Sequence, residues 1–181
     1  WKLGSAEDIP LPNQSVEGVV GFLTLHHWTD LKRAFSELHR VLKPNGNLVF
    51  FTSTPEQMEG YWVNHYFPKM MEASTAQMPS LEVVESAMNE NGLAITKTDK
   101  YFVQPDLQDK FLSCGKQNPE MYFDEDIRKG ISSFAALANR QEVEHGLAML
   151  RNDMTSGKFK EIAQQYENEL GEYVFLVGQA Q

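Results

Sequence analysis

The chain has 181 residues, 41% of them hydrophobic and 23% charged, which is enough apolar material for one sizeable core in an ordinary globular protein. A net charge of −9 and a pI near 5.0, with no window that concentrates Lys and Arg, argue against the basic face that nucleic-acid binding needs, though they leave room for a local basic patch. One cysteine, Cys114, excludes a disulfide within the chain and implies a reducing, cytoplasmic setting, and no apolar run reaches the roughly 18 residues of a membrane span.

The first segment, "GSAEDIPLP", reads as a loop. Residues 16–25 then form a short, apolar, β-branched run between "PNQS" and "HHWTD", the pattern of a strand buried on both faces in a parallel sheet. In "TDLKRAFSELHRVLKPNG", Leu31, Ala34, Phe35, Leu38, Val41 and Leu42 recur at helical spacing. Lys32, Arg33, Glu37 and Arg40 fall on the opposite, solvent face of that helix. Thr29 or Asp30 caps its start, and Pro44 and Gly46 stop it. "NLVFFT" follows as a second buried strand, so strand, helix and strand make a parallel crossover unit.

"PEQMEGYWVNHYFPKMMEAS" is rich in aromatics and Met and reads as one helix ended or bent at Pro68. "SLEVVESAMNENG" is an amphipathic helix with Ser80 as its cap and Gly92 as its stop. "LAITKTDKYFV" is a more polar strand, hence nearer an edge. Residues 104–170 are mostly helical, with turns at "KQNPE" and "TSGK", and "EYVFLVGQA" is a last strand. The order is β-α-β-α-α-β, a helical insert, and β.

The stretch "GSAEDIPLPNQSVEGVVGFLTLHHWTDLKRAFSELHRVLKPNGNLVFF" resembles the second half of the class I S-adenosylmethionine-dependent methyltransferases. It is most similar to their small-molecule branch, the ubiquinone-biosynthesis and trans-aconitate methyltransferases. Members carry a G-D-A-E-x-L-P-F loop, an S-F-D-x-V strand ending in L-H-H, and a helix closing in L-K-P-G-G. The resemblance covers residues 4–52; the later helix and strands fit the closing elements more loosely. It implies an α/β fold: a Rossmann-like parallel sheet with an antiparallel C-terminal strand, N-terminally truncated, with a helical insert before the last strand. On this reading residues 1–181 are the C-terminal part of one methyltransferase domain, and 104–170 form a cap beside the acceptor pocket. The family's glycine-rich loop and the acid that holds the ribose hydroxyls are expected before Trp1. Ser5 stands where the family has Asp, and Glu17 where its strand has Asp.

The resemblance implies S-adenosyl-L-methionine as cofactor, with Ser5, Ala6 and Glu7 at its adenine and Gly21, Phe22 and Leu23 at its methionine portion. Read from the residues alone, Gly21 serves either close packing or the close approach of a ligand. Methyl transfer is an in-line displacement that positioning can accelerate, so no catalytic triad is required. His26 and His27 are the titratable groups nearest the strand end, as a base or as strand-end caps, and in extended chain only one of them faces the site. Tyr61, Trp62 and Tyr66 follow the second strand and are candidates for acceptor binding or for core packing. No ligand spacing for a metal is present.

The expected function is methyl transfer to a small organic acceptor through oxygen or carboxylate chemistry, by a chain that is inactive on its own. A non-catalytic Rossmann-like nucleotide-binding or assembly domain is the alternative, with half of a dehydrogenase as a further one. Without the family's first strand, strand 16–25 keeps an unpaired edge, and self-association through that edge is expected. Nucleic acid and membrane are not expected partners.

Overall fold

The computed structural model describes residues 2–181, and these separate into two compact units. The first unit holds residues up to Thr54, Gln77–Tyr101 and Tyr173–Gln181; the second holds Pro55–Ala76 and Phe102–Glu172.

The first unit is a four-stranded mixed sheet with helices. Strands β1 (Val16–Phe22), β2 (Leu42–Thr52), β3 (Leu93–Tyr101) and β4 (Tyr173–Ala180) lie in the order β1-β2-β4-β3. β1 and β2 are parallel, with Gly21 opposite Phe50, and β4 runs antiparallel to both β2 and β3. The polar strand β3 is an edge, as its composition predicts.

Helices α1 (Leu31–Val41) and α5 (Leu81–Asn89) flank this sheet in the chain. The carboxylate of Asp30 caps α1 by accepting the Arg33 N–H, and Ser80 does the same for α5 at Val83. Gly92, at φ +71°, provides the left-handed stop after α5. Because strand side chains alternate, Leu48 and Phe50 of β2 and Val174 and Leu176 of β4 share one face. They close a core with Phe35 and Leu38 of α1 and Val84 and Met88 of α5. The opposite face carries an aromatic cluster in which Phe51 meets Phe22, Tyr101, Tyr173 and Phe175 at ring centroid distances of 4.8–5.4 Å.

Three sequence expectations change here. β1 is not buried on both faces: Val20 is 78% and Phe22 53% exposed, because β1 is a sheet edge. The strand also ends at Phe22, three residues short of the predicted 25. Leu23 takes a left-handed φ of +47°, and Leu25–His27 turn into a 3-10 helix. Finally, "KPNG" sits within β2, where a register shift lets the pairing run from Val16↔Leu42 to Gly18↔Asn47.

The second unit is helical. Three short helices, α2 (Pro55–Glu59), α3 (Val63–Tyr66) and α4 (Pro68–Thr75), stand where one helix is predicted. Pro68 opens α4 at its first turn instead of bending a longer helix, since a proline there forfeits no helical hydrogen bond. α6 (Glu125–Gly130), α7 (Arg140–Ser156) and α8 (Phe159–Gln165) complete the unit with short 3-10 and π turns. Asn139 caps α7, and Gly157 at φ +84° ends it. The Glu142 carboxylate on α7 also accepts the Lys69 N–H at 2.7 Å, satisfying a free donor at the start of α4. Gly146 on α7 lies directly against the Tyr66 carbonyl and the Phe67 ring.

Candidate functional site

The candidate site in the sheet unit lies at the carboxyl end of β1, where open α/β sheets place their ligands. Gly21, Phe22 and Leu23 form that end. The Leu23 N–H still donates to the Phe51 carbonyl at 2.8 Å, although its φ is positive. A left-handed non-glycine residue carries a local energetic cost, and such positions gather at functional sites. A Cβ added to Gly21 would stand 2.4 Å from Cδ1 of Phe50, so packing against that ring accounts for the glycine.

The histidines follow in the 3-10 turn rather than in extended chain, so their rings do not point to opposite sides. They sit together, with centroids 3.9 Å apart and planes tilted by 48°. His27 is exposed and His26 half-buried. Nδ1 of His26 is buried and has no hydrogen-bond partner. Burial, and then the neighbouring His27, push the His26 pKa down to about 4, so His26 is neutral at pH 7. A buried ring nitrogen without a partner leaves one hydrogen-bonding group of this turn unsatisfied.

Ser5, Ala6 and Glu7 occupy a turn closed by a 3.3 Å hydrogen bond from the Asp8 N–H to the Ser5 carbonyl. One carboxylate oxygen of Glu7 accepts the Thr29 N–H at 2.9 Å and faces the Thr29 hydroxyl at 3.3 Å. That bond joins the loop to the segment just after His27. Glu7 titrates below the usual carboxylate range because backbone N–H groups, its own first and then that of Thr29, stabilise its charged form.

Sequence reading assigns Arg33, Glu37 and Arg40 to a solvated helix face, yet all three turn onto this loop. Nε of Arg33 donates to the Glu7 carbonyl, and Arg40 pairs with Glu37 while also donating to the carbonyls of Ile9 and Leu11. The available signal was the i, i+3 pairing of Glu37 with Arg40 directly before the strand. Nothing in the spacing says that the pair would face chain some 30 residues earlier.

Tyr61, Trp62 and Tyr66 belong to the helical unit and are buried within it. The Tyr61 and Tyr122 hydroxyls lie 2.6 Å apart, Nε1 of Trp62 donates to the Lys116 carbonyl at 3.3 Å, and the Tyr66 hydroxyl donates to Asp153 at 3.2 Å. Burial, reinforced by Asp153, raises the Tyr66 pKa well above its ordinary value. Cys114 lies in a 3-10 turn and is buried; burial pushes its thiol up to about 11, which makes it a poor nucleophile. Among the described residues no cluster of three or more His, Cys, Asp or Glu can hold a metal ion, and no helix is long and apolar enough to cross a membrane.

Known proteins match this arrangement. A model of the methyltransferase domain matches residues 1–50. A crystal structure from Anabaena variabilis, described as a methyltransferase of an antibiotic biosynthesis pathway, superposes on all of this chain and 73% of its own, with 32% identity and a TM-score of 0.84. An uncharacterized methyltransferase of Mycobacterium tuberculosis is 43% identical over 61 residues, 34% of this chain and 24% of the relative. The chain thus spans about a quarter of the length of such curated relatives. A geranyl diphosphate C-methyltransferase of Streptomyces coelicolor, solved with S-adenosyl-L-homocysteine, shares the fold at 17% identity, with a TM-score of 0.51 over 99% of this chain and 53% of its own. The chain belongs to the class I S-adenosylmethionine-dependent methyltransferase family, and its mixed sheet with helices is that family's Rossmann-like fold.

Proposed function

We propose that the chain serves methyl transfer from S-adenosyl-L-methionine to a small organic acceptor, at an oxygen or carboxylate. The observation that carries the reading is the match along the whole chain to one methyltransferase structure at 32% identity. At the end of β1, the buried, unpartnered Nδ1 of His26 fits a ligand, and Ala6 and Ser5 fit an adenine contact through backbone and hydroxyl. The Glu7 carboxylate is engaged by Thr29, so its part is to hold the loop.

When bound, the cofactor supplies an electrophilic methyl group on a sulfonium that departs as a neutral thioether. The chain's own task is positioning. His26, neutral at pH 7, accepts a hydrogen bond from the acceptor and holds it in line. A base of pKa about 4 does not ionise an alcohol beforehand, but it takes a proton that turns strongly acidic as the new bond forms. A carboxylate acceptor loses no proton and needs only orientation. His27, exposed beside it, relays such a proton to solvent. Gly21, Phe22 and Leu23 line the methionine side, with Phe22 stacked on Phe51 as an apolar surface. The helical unit is read as part of the same methyltransferase domain, and Tyr61, Trp62 and Tyr66, packed within it, remain its candidates for acceptor binding. A cytoplasmic setting is part of this proposal, supported by one buried thiol.

Residues 1–181 contain no glycine-rich dinucleotide-type loop, so these residues alone bind the cofactor weakly and turn over poorly. The test is calorimetric titration with S-adenosyl-L-homocysteine, on this chain and on a longer one that carries such a loop. Millimolar binding for the short chain and at least tenfold tighter binding for the longer one are expected. No heat from either at millimolar ligand refutes the reading.

A second reading, assembly, is favoured by the β1 edge with Val20 and Phe22 exposed. Light scattering decides it: a monomer at all concentrations sinks self-association through β1, whereas a dimer dispersed by Val20→Lys supports it.

A further inference from the structure

We infer that Arg40 and Glu37 are positioning residues that hold the loop of residues 7–15 rigid, so that the turn carrying Ser5 and Ala6 is presented to the ligand in one shape. This rests on the cofactor reading above.

The loop has almost no regular structure of its own, yet its backbone groups are consumed one after another by α1. Nε and Nη2 of Arg40 donate to the two carboxylate oxygens of Glu37, both at 2.7 Å. Nη2 donates also to the Ile9 carbonyl at 2.8 Å. Nη1 donates to the Leu11 carbonyl at 2.8 Å and to Oδ1 of Asn13 at 2.9 Å. Every nitrogen of the guanidinium is therefore in use, a geometry that its planar fork provides and an ammonium does not. Glu37 adds a bond of its own by accepting the Ile9 N–H at 2.9 Å. The backbone carbonyls of Arg40 and Val41 accept from Gln14 and Ser15, and Arg33 holds the Glu7 carbonyl.

The pair is not an ordinary surface ion pair. The side chains of Arg40 and Glu37 are 31% and 19% exposed, and Ile9 between them packs on the sheet core. Arg40 and the Glu7 contacts thus clamp the loop at both ends, and Ser5 and Ala6 come directly before the clamped Glu7. A loop ordered before binding spares the ligand the entropy of ordering it. Loss of the clamp therefore appears as weaker ligand binding rather than as a changed chemical step.

The experiment compares the unsubstituted chain with Arg40→Ala, Glu37→Gln and Lys32→Ala. Lys32, also on α1, pairs at 2.7 Å with Glu90 at the end of α5 and does not touch the loop, so it is the control for a lost ion pair of α1. Hydrogen exchange reads the loop amides against those of β2 and β4, and calorimetry reads S-adenosyl-L-homocysteine. Arg40→Ala is expected to speed exchange at Ile9, Gln14 and Ser15 at least tenfold with β2 and β4 unchanged, and to weaken binding about tenfold or more. Glu37→Gln, whose amide oxygen still accepts the Ile9 N–H, recovers part of both effects, and Lys32→Ala moves neither.

Unchanged loop exchange in Arg40→Ala overturns the clamp, as does a loosened loop whose affinity stays within twofold. Absence of binding by both the unsubstituted chain and the longer one that carries a glycine-rich loop refutes the cofactor reading instead. The clamp then stands or falls on exchange alone.

Discussion

Replacing Gly21 by alanine separates packing from ligand binding as the reason for a glycine in β1. Gly21 has strand backbone, so alanine meets no dihedral penalty and sterics decide the sign. The new Cβ would lie 2.4 and 2.5 Å from two carbons of the Phe50 ring and 3.2 Å from Cγ2 of Thr24. The deficit against ordinary contact is about 1 Å, well beyond what a soft contact absorbs. Phe50 has little room to yield: it is 1% exposed, its ring meets Trp28 and Phe35 edge-on at 5.6 and 5.9 Å, and its backbone is paired opposite Gly21. Overpacking of this kind costs about 1–3 kcal/mol, and alanine returns about 0.5–1 kcal/mol of chain entropy, leaving a net loss of about 1–2 kcal/mol. Urea unfolding followed by tryptophan fluorescence reads this, since Trp28 sits against the same ring. In a double-mutant cycle, Phe50→Leu should relieve much of the loss, with a coupling of about 1 kcal/mol or more. A Gly21→Ala chain as stable as the original, but weaker for S-adenosyl-L-homocysteine, refutes the packing argument and assigns the glycine to the ligand.

The same substitution has opposite signs elsewhere. Gly146→Ala should lose about 1–3 kcal/mol despite better helix propensity, because its Cβ meets the Tyr66 carbonyl at 2.4 Å, whereas Gly130→Ala, with nothing within 4 Å, should gain about 0.5–1 kcal/mol in thermal unfolding. Asp30→Ala removes the cap on the Arg33 N–H and should cost about 1 kcal/mol by urea titration, with Asp30→Ser restoring most of it. His26 has a folded-state pKa of about 4 against an ordinary 6.5, so between those values the unfolded chain binds more protons. Stability is therefore full above about pH 6.5 and falls as pH drops toward 4, by on the order of 2 kcal/mol after allowing for partial exposure. His26→Gln should flatten that part of the stability-versus-pH curve, and an unaltered curve counts against the buried neutral imidazole.

Much of the fold was legible because it rests on local patterns. The apolar stripe of Ala34, Phe35, Leu38 and Val41, the Asp30 and Ser80 caps and the Gly92 stop are written within a turn or two of where they act. The polar composition of β3 marked it as an edge for a similar reason, since its solvent exposure selects its side chains. The breaks in the aromatic segment were less legible. Gly60 and Pro68 are visible in the sequence, but the burial of Trp62, Tyr66 and Phe67 that holds three short helices comes from the rest of the helical unit. The 3-10 turn at "LHH" was hidden for a related reason: an apolar run does not reveal where a strand stops, and a left-handed Leu23 has no local signature.

Local sequence was enough for the main strands and the helices α1 and α5, the caps of those two helices, the order of strand and helix in the sheet unit, and the family to which loop, strand and "LHH" point. These depend on side-chain periodicity and on residues whose backbone preferences act over a few positions. Only the tertiary structure decided what the polar residues face. It turned Arg33, Glu37 and Arg40 from an apparent solvent face onto the loop, filled the space at Gly21 with Phe50, and left Nδ1 of His26 buried and unpaired. Each depends on chain brought from some 20 to 30 positions away or on the local path of a turn, and hydrophobic periodicity carries no record of either.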